Sequence, residues 1–285
     1  MKVLKVLLIM FIAFFLVCCN ESKKSFIIDS SNNAILADVD GNIDFWHTIR
    51  FQNEAAEKEY TVEFDGVIYH GCYDYSTNRN LSYNRNHYIT DELYKFILKD
   101  GTNELVSITL MNKDYFENVY FRDDVEDSYN YAVNIAKSIA GRYINIDEYD
   151  MSVQESNKLY KEKDGISYAC FFYDVTFTKK YANIDTTDYV LIKVSSKGDF
   201  LRLTIGELNA FDDINIDFDI DSINEDITNT IKKEFGKLNY SINSLEIESQ
   251  RIQLTPDKKL CILSAVSVQY GEEDSTGVTL LTYLE

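Results

Sequence analysis

The residues best suited to chemistry in this chain lie between Tyr69 and Tyr88. The segment holds one acid, Asp74, against Arg79, Arg85, His70 and His87, in a chain of formal net charge −19. It also carries Tyr69, Tyr73, Tyr75, Tyr83 and Tyr88, and Asn78-Arg79-Asn80 recurs six positions later as Asn84-Arg85-Asn86. On an extended chain an even spacing puts Arg79 and Arg85 on one face. Arginine forks hold carboxylates and other oxyanions, and exposed tyrosines suit sugar rings or peptides. Arg79, Arg85, Tyr73, Tyr75, Tyr83 and Tyr88 are therefore the expected ligand-binding residues, for a glycan or an acidic peptide. The competing reading is a polar loop whose tyrosines cap the core.

Other constellations carry less. His70, Cys72 and His87 are an acceptable ligand set for zinc, but their spacing matches no familiar zinc pattern, so no metal or other cofactor is expected. Cys72 as a nucleophile lacks an orienting third residue. His47 beside Trp46 reads as a core-edge pair. From Asp213 to Asp221 the chain alternates, with Ile214, Ile216, Phe218 and Ile220 on one face and mainly carboxylates on the other. A calcium loop of the EF-hand type needs Gly sixth and Glu twelfth, and neither is present. An edge strand or linker with a charged, aggregation-resisting face is expected there instead. Asp38-Val39-Asp40-Gly41 reads as a turn. Phosphate loops, nucleophile elbows and paired-His helices are absent from the sequence, so no catalytic residue is assigned.

Two segments have helix periodicity. Asp127–Ala140 places Tyr129, Ala132, Val133, Ala136, Ile139 and Ala140 on one face, and Gly141 is the expected left-handed stop. Ser222–Phe235 repeats Ile223, Ile227, Ile231 and Phe235, with Ser222 and Glu225 as a capping box and Gly236 as its stop. Strands are expected over 166–178, 188–195 and 199–205, and again over 244–254, 259–270 and 277–284. The recurrence reads as a diverged duplication. In the N-terminal part, 61–69 is an expected strand and 92–99 with 104–111 an expected hairpin. The fold class is accordingly α+β: a β-rich region over 34–122, then two related units, 123–209 and 210–285, each one helix packed on an antiparallel sheet.

The stretch Tyr189 to Val194, the turn at Lys197-Gly198 and the strand from Asp199, together with the helix ending at Ala140, resemble PepSY-type domains. The resemblance covers 123–205 best and implies a small extracytoplasmic α+β module, regulatory and without catalytic residues. Another cystatin-like α+β family fits the same pattern.

The N-terminus has the parts of an export signal. Lys2 and Lys5 precede an uncharged apolar run from Val6 to Val17, too short for a spanning helix. Leu16, Val17 and Cys18 before Cys19 resemble a bacterial lipoprotein signal peptide, with Cys18 in the position usually held by Gly, Ala or Ser. The resemblance implies removal of residues 1–18 and lipidation of Cys19, whose acyl chains anchor the chain in a bilayer on the extracytoplasmic side. Residues 19–33 then read as the lipidated Cys and a flexible tether.

That leader holds two of the 28 basic residues and no acid; the remainder would carry 26 basic against 47 acidic residues, a net charge of −21. Such a balance argues against a nucleic-acid partner. Cys72, Cys170 and Cys261 allow one disulfide at most, and Cys170 and Cys261, in apolar runs, are expected as free buried thiols. The function these features point to is a non-catalytic binding or regulatory lipoprotein whose partner is an envelope protein or a glycan. The alternatives are an envelope-directed hydrolase with an unrecognised site and a lipoprotein that senses divalent metal.

Overall fold

The computed structural model describes residues 25–30, 49–78, 83–91, 94–111, 128–163, 166–255, 258–272 and 274–284. Cys19, Arg79, His47, the 38–41 turn and the leader lie outside them.

All fourteen strands among these residues belong to one sheet. The strand expected over 61–69 is in fact two, β3 (Glu59–Phe64) and β4 (Val67–Asn78), turned at Asp65-Gly66, where both residues have positive φ. β2 (Ile49–Phe51) and β5 (Arg85–Thr90) flank β4, and β6 (Tyr94–Lys99) with β7 (Leu105–Leu110) follow as a meander. β8 (Asp150–Lys163) and β9 (Ile166–Tyr181) form a long hairpin, and β9 pairs in turn with β10 (Ile184–Ser195), which pairs with β11 (Phe200–Ile205). β12 (Ile242–Leu254), β13 (Leu260–Tyr270) and β14 (Asp274–Tyr283) form a second meander.

Two seams join these groups. β7 pairs with β11 through Arg202↔Thr109, Leu203↔Ile108 and Thr204↔Ser107. β10 pairs with β12 in parallel, through Asp185↔Arg251 and Thr186↔Ile252. These seams correct the expected α+β class and its separate helix-on-sheet units: the chain is mostly β, and its regions share one sheet. Local periodicity reports which residues face inward, and it is silent on which strand lies beside which.

Two α-helices are present among the described residues: α1 (Tyr129–Ala140) and α2 (Ile220–Lys237). α1 buries Ala132, Val133, Ala136, Ile139 and Ala140 and is capped by the Ser128 hydroxyl, which accepts from Tyr131 N–H. Gly141 is right-handed at φ −60, not the left-handed stop expected. In α2, Asp219 caps instead of Ser222, and Gly236 lies inside the helix rather than ending it. Neither helix is long and apolar enough to cross a membrane.

β1 (Ser25–Ser30) falls within the stretch expected as flexible tether. It pairs antiparallel with β14, and the Ser25 hydroxyl shares a hydrogen bond of 2.7 Å with Thr282 and donates to Asp226 of α2. The 213–221 stretch is likewise no strand. Ile214, Ile216 and Phe218 still pack against the core, as does Ile220, the first residue of α2, which explains the alternation without a ladder. The core has two clusters. One joins α1 to β9, β10 and the N-terminal strands, with Tyr88, Phe96, Ile108 and Ile192 at its centre; the other joins α2 to β12–β14.

Candidate functional site

β4, β5 and β6 turn alternate residues to opposite faces. Tyr88, Phe96 and Leu98 point into the core below α1, so Arg85, His87, Lys95 and Lys99 stand on the other face. A register shift between Tyr73 and Tyr75 lets both tyrosines serve different faces.

On the inner side Tyr88 is 1 % exposed, stacked on Phe96 at 5.1 Å and out of reach of any ligand. Tyr73 meets the edge of Tyr88 at 5.9 Å, and its hydroxyl pairs with Ser76 and accepts from Asn53 N–H. The same cluster runs from Ser76 to Asn86 and from Asn86 to Asp100. Asn86, from the repeated Asn-Arg-Asn, thus pins the hairpin turn instead of binding a ligand. Gly71 sits beneath this layer, where an added Cβ would lie 2.5 Å from Phe96.

On the outer side the Arg50 guanidinium lies 3.4 Å above the Tyr75 ring, and His87 stacks beneath it at 4.4 Å. Lys95 Nζ donates to the Tyr75 hydroxyl at 2.6 Å. Thr77 Oγ1 lies 2.8 Å from His87 Nε2, while His87 Nδ1 and Arg85 Nε are buried without a hydrogen-bond partner. Arg85 and Lys99 face each other across β5 and β6, and both stand over Tyr83, at 5.3 and 4.5 Å. Among the four cations Arg50, Arg85, Lys95 and Lys99, the described residues supply one ion pair, Lys99 with Glu104 at 3.6 Å.

The electrostatics agree with a cationic patch. Burial, then Lys95, Arg85 and Arg50, push the His87 pKa down to about 3, so its imidazole is neutral at physiological pH. Burial tends to raise the Tyr75 phenol, but the hydrogen bonds and charges of Lys95 and Arg50 outweigh it and lower the pKa. Burial raises Tyr83, against the opposing pull of Arg85.

The patch runs into a cleft of about 760 Å³ beside Tyr83 and Lys99. Its wall is the strand-to-loop passage at Gly206 and Glu207. Glu207 N–H donates to the Thr187 carbonyl, and Thr187 Oγ1 donates to Glu207 Oε2 at 3.0 Å. Only glycine fits at 206, because a Cβ there would lie 2.1 Å from that same carbonyl. Burial raises the Glu207 pKa, opposed by the Thr187 hydrogen bond, Lys99 and Arg85.

Of the residues expected to bind ligand, Arg85, Tyr75 and Tyr83 stand together, Tyr73 and Tyr88 belong to the core side, and Arg79 lies outside the described residues. β4 and β5 are antiparallel, with Thr77 opposite Arg85. Arg50, Lys95 and Lys99 were missed. The signal for two of them was available: if Phe96 and Leu98 face inward, Lys95 and Lys99 face outward. Arg50 had none, because only the register Arg50↔Thr77 brings it in.

His70 and Cys72 are exposed, and His70 Nδ1 pairs with Thr61. Among the described residues no three of His, Cys, Asp and Glu are grouped to hold a metal. Neither Cys72 nor Cys261 is in a disulfide, and Cys261 is buried with its thiol donating to the Gln253 carbonyl at 3.4 Å. No protein-family model, curated protein or solved structure matches this chain.

Proposed function

We propose that this chain is an extracytoplasmic lipoprotein, anchored through acyl chains on Cys19, that binds an anionic partner without catalysis. The partner is an acidic segment of an envelope protein or an acidic glycan. The observation that carries the reading is the outer face of β2, β4, β5 and β6. In a chain of net charge −19, it gathers Arg50, Arg85, Lys95 and Lys99 around Tyr75 and Tyr83. Cations ordered by stacking on rings lose little side-chain freedom when an anion arrives, which favours binding. Arg50, Arg85 and Lys95, which have no ion pair among the described residues, also gain when an anion neutralises them.

The anchor supports the same reading. Residues 20–24 alone separate Cys19 from β1, a reach of at most about 22 Å. The sheet would therefore be held near the bilayer, while an acidic surface would keep it from lying flat on anionic lipid.

Two measurements test the proposal. Mass spectrometry of the mature chain from a bacterial host is expected to find a diacylated Cys19 at the N-terminus; an unmodified N-terminus removes the anchor. Fluorescence anisotropy of residues 20–285 with labelled oligoglutamate or oligogalacturonate is expected to show saturable binding that the double change Arg50→Ala, Lys95→Ala weakens at least about tenfold. Binding of neither probe, or no effect of the double change, overturns the recognition surface.

A further inference from the structure

The cleft beside the cationic face distinguishes between the two anionic partners. A glycan site uses open aromatic faces as platforms for the apolar side of a sugar ring. Here both faces of Tyr75 are occupied, by Arg50 above and His87 below. Tyr88 is buried, and Tyr73 packs against it with Lys58 5.3 Å from its ring. Tyr83 has Arg85 and Lys99 over its ring. The tyrosines that seemed suited to sugar are committed to holding cations.

The cleft itself offers apolar depth. Leu105, Leu208 and Leu254 line it, from β7, the loop after β11 and the end of β12, together with Lys99, Lys258, Glu104 and Glu207. Lys258 is exposed in the β12–β13 turn, with positive φ. The lining thus combines apolar side chains with two lysines and two glutamates, Glu104 being paired with Lys99, so the cleft suits a large apolar side chain while acids beside it are met on the cationic face. Tyr83 and Lys99 belong both to the cleft and to the cationic face, so one ligand can engage both. From β2 across β4 and β5 to β6 is three strand spacings, on the order of 15 Å, which five or more extended residues cover.

We propose that the ligand is an acidic peptide with a large apolar side chain, the acids meeting Arg50, Arg85 and Lys95 and the apolar side chain entering the cleft that Leu105, Leu208 and Leu254 line. This rests on the reading of the face as an anion-binding surface. Burial of an aromatic side chain in a site of this kind strengthens binding by on the order of tenfold or more over alanine.

The test measures anisotropy of residues 20–285 with three labelled probes: a nonapeptide of glutamates with one central Phe, the same peptide with Ala in its place, and an oligogalacturonate of equal charge. The expected result is the Phe peptide binding tightest, at least about tenfold over the Ala peptide. Leu208→Gln is expected to remove that preference while both peptides still bind. Should Leu208→Gln not fold, Lys258→Asn, at an exposed turn that tolerates Asn, is expected to weaken the Phe peptide more than the Ala peptide. Equal affinity for the two peptides overturns the inference and leaves the anion-binding face standing. Tighter binding of the oligogalacturonate overturns it in favour of a glycan. A Phe preference that survives the cleft variant overturns the assignment to this cleft. Failure of all three probes to bind overturns the anion-binding face as well.

Discussion

Two charged stretches of this chain, 69–88 and 213–221, drew attention by composition and have opposite fates in the fold. In the first, strand register lays β2, β4, β5 and β6 side by side, so that four cations from three strands, Arg50, Arg85, Lys95 and Lys99, converge on one face around Tyr75 of β4. In the second, the chain runs irregularly over the core, anchored by Ile214, Ile216 and Phe218, and its carboxylates project one by one. Asp219 alone acquires a structural role, as the cap of α2. Charge becomes a site when neighbouring strands stack it laterally; a run along one segment remains a solvated surface.

The comparison is broken most severely from beneath the cationic face. Phe96 is fully buried and stacked on Tyr88, so Phe96→Ala is expected to cost about 3–5 kcal/mol, read as a fall in the denaturant midpoint. Oligoglutamate binding should fall with it, because the register that gathers the cations is lost; retained binding would show that the face does not depend on that core.

A smaller effect comes from pH. His87 has a folded pKa lowered to about 3 against an ordinary value of 6.5, so the unfolded chain binds the extra proton first. Its contribution to stability is present above pH 6.5 and is lost as the pH falls from there toward 3. Thermal melts are expected to show wild-type Tm declining more steeply than His87→Gln between pH 7 and pH 4.5. Parallel declines would mean that the imidazole is not held neutral by its cationic neighbours.

In the acidic stretch, Asp219→Ala is expected to cost about 1 kcal/mol through loss of the cap to Asp221 N–H. Asp213→Asn and Asp217→Asn, both exposed, should stay within about 0.5 kcal/mol of wild type in the same chemical denaturation. The smallest effect is that of calcium: millimolar calcium is expected to leave Tm unchanged, and a rise that Asp213→Asn abolishes would show that these carboxylates do converge.

The sequence disclosed what depends on neighbours along the chain. β10 could be read because Tyr189 to Ile192 and Val194 form an apolar, largely β-branched run before the Lys197-Gly198 turn, and α1 because its apolar residues recur at helical spacing. β8 was not anticipated, since Ser152, Gln154, Glu155, Asn157 and three lysines give it no apolar face to recognise. The same limit applies to the site. Arg85, Tyr75 and Tyr83 drew attention by composition, whereas Arg50 enters through a three-residue strand paired with distant residues. The cleft needs Tyr83, Leu105, Glu207 and Leu254, brought together by loops more than a hundred residues apart in part. Single-sheet architecture was hidden for that reason too: its seams are three pairs and two pairs long.

The contact between Ser25 and Thr282 spans 257 positions. Closing so large a loop is entropically slow, and β14, the strand that β1 pairs with, follows every other described strand in the chain, so β1 cannot dock before it is made. Until then the outer edge of β14 presents unpaired backbone groups to any extended chain nearby. The order of synthesis thus makes the first strand of the sheet the last to dock, and the interval before it docks is when this chain is most open to pairing with another copy of itself.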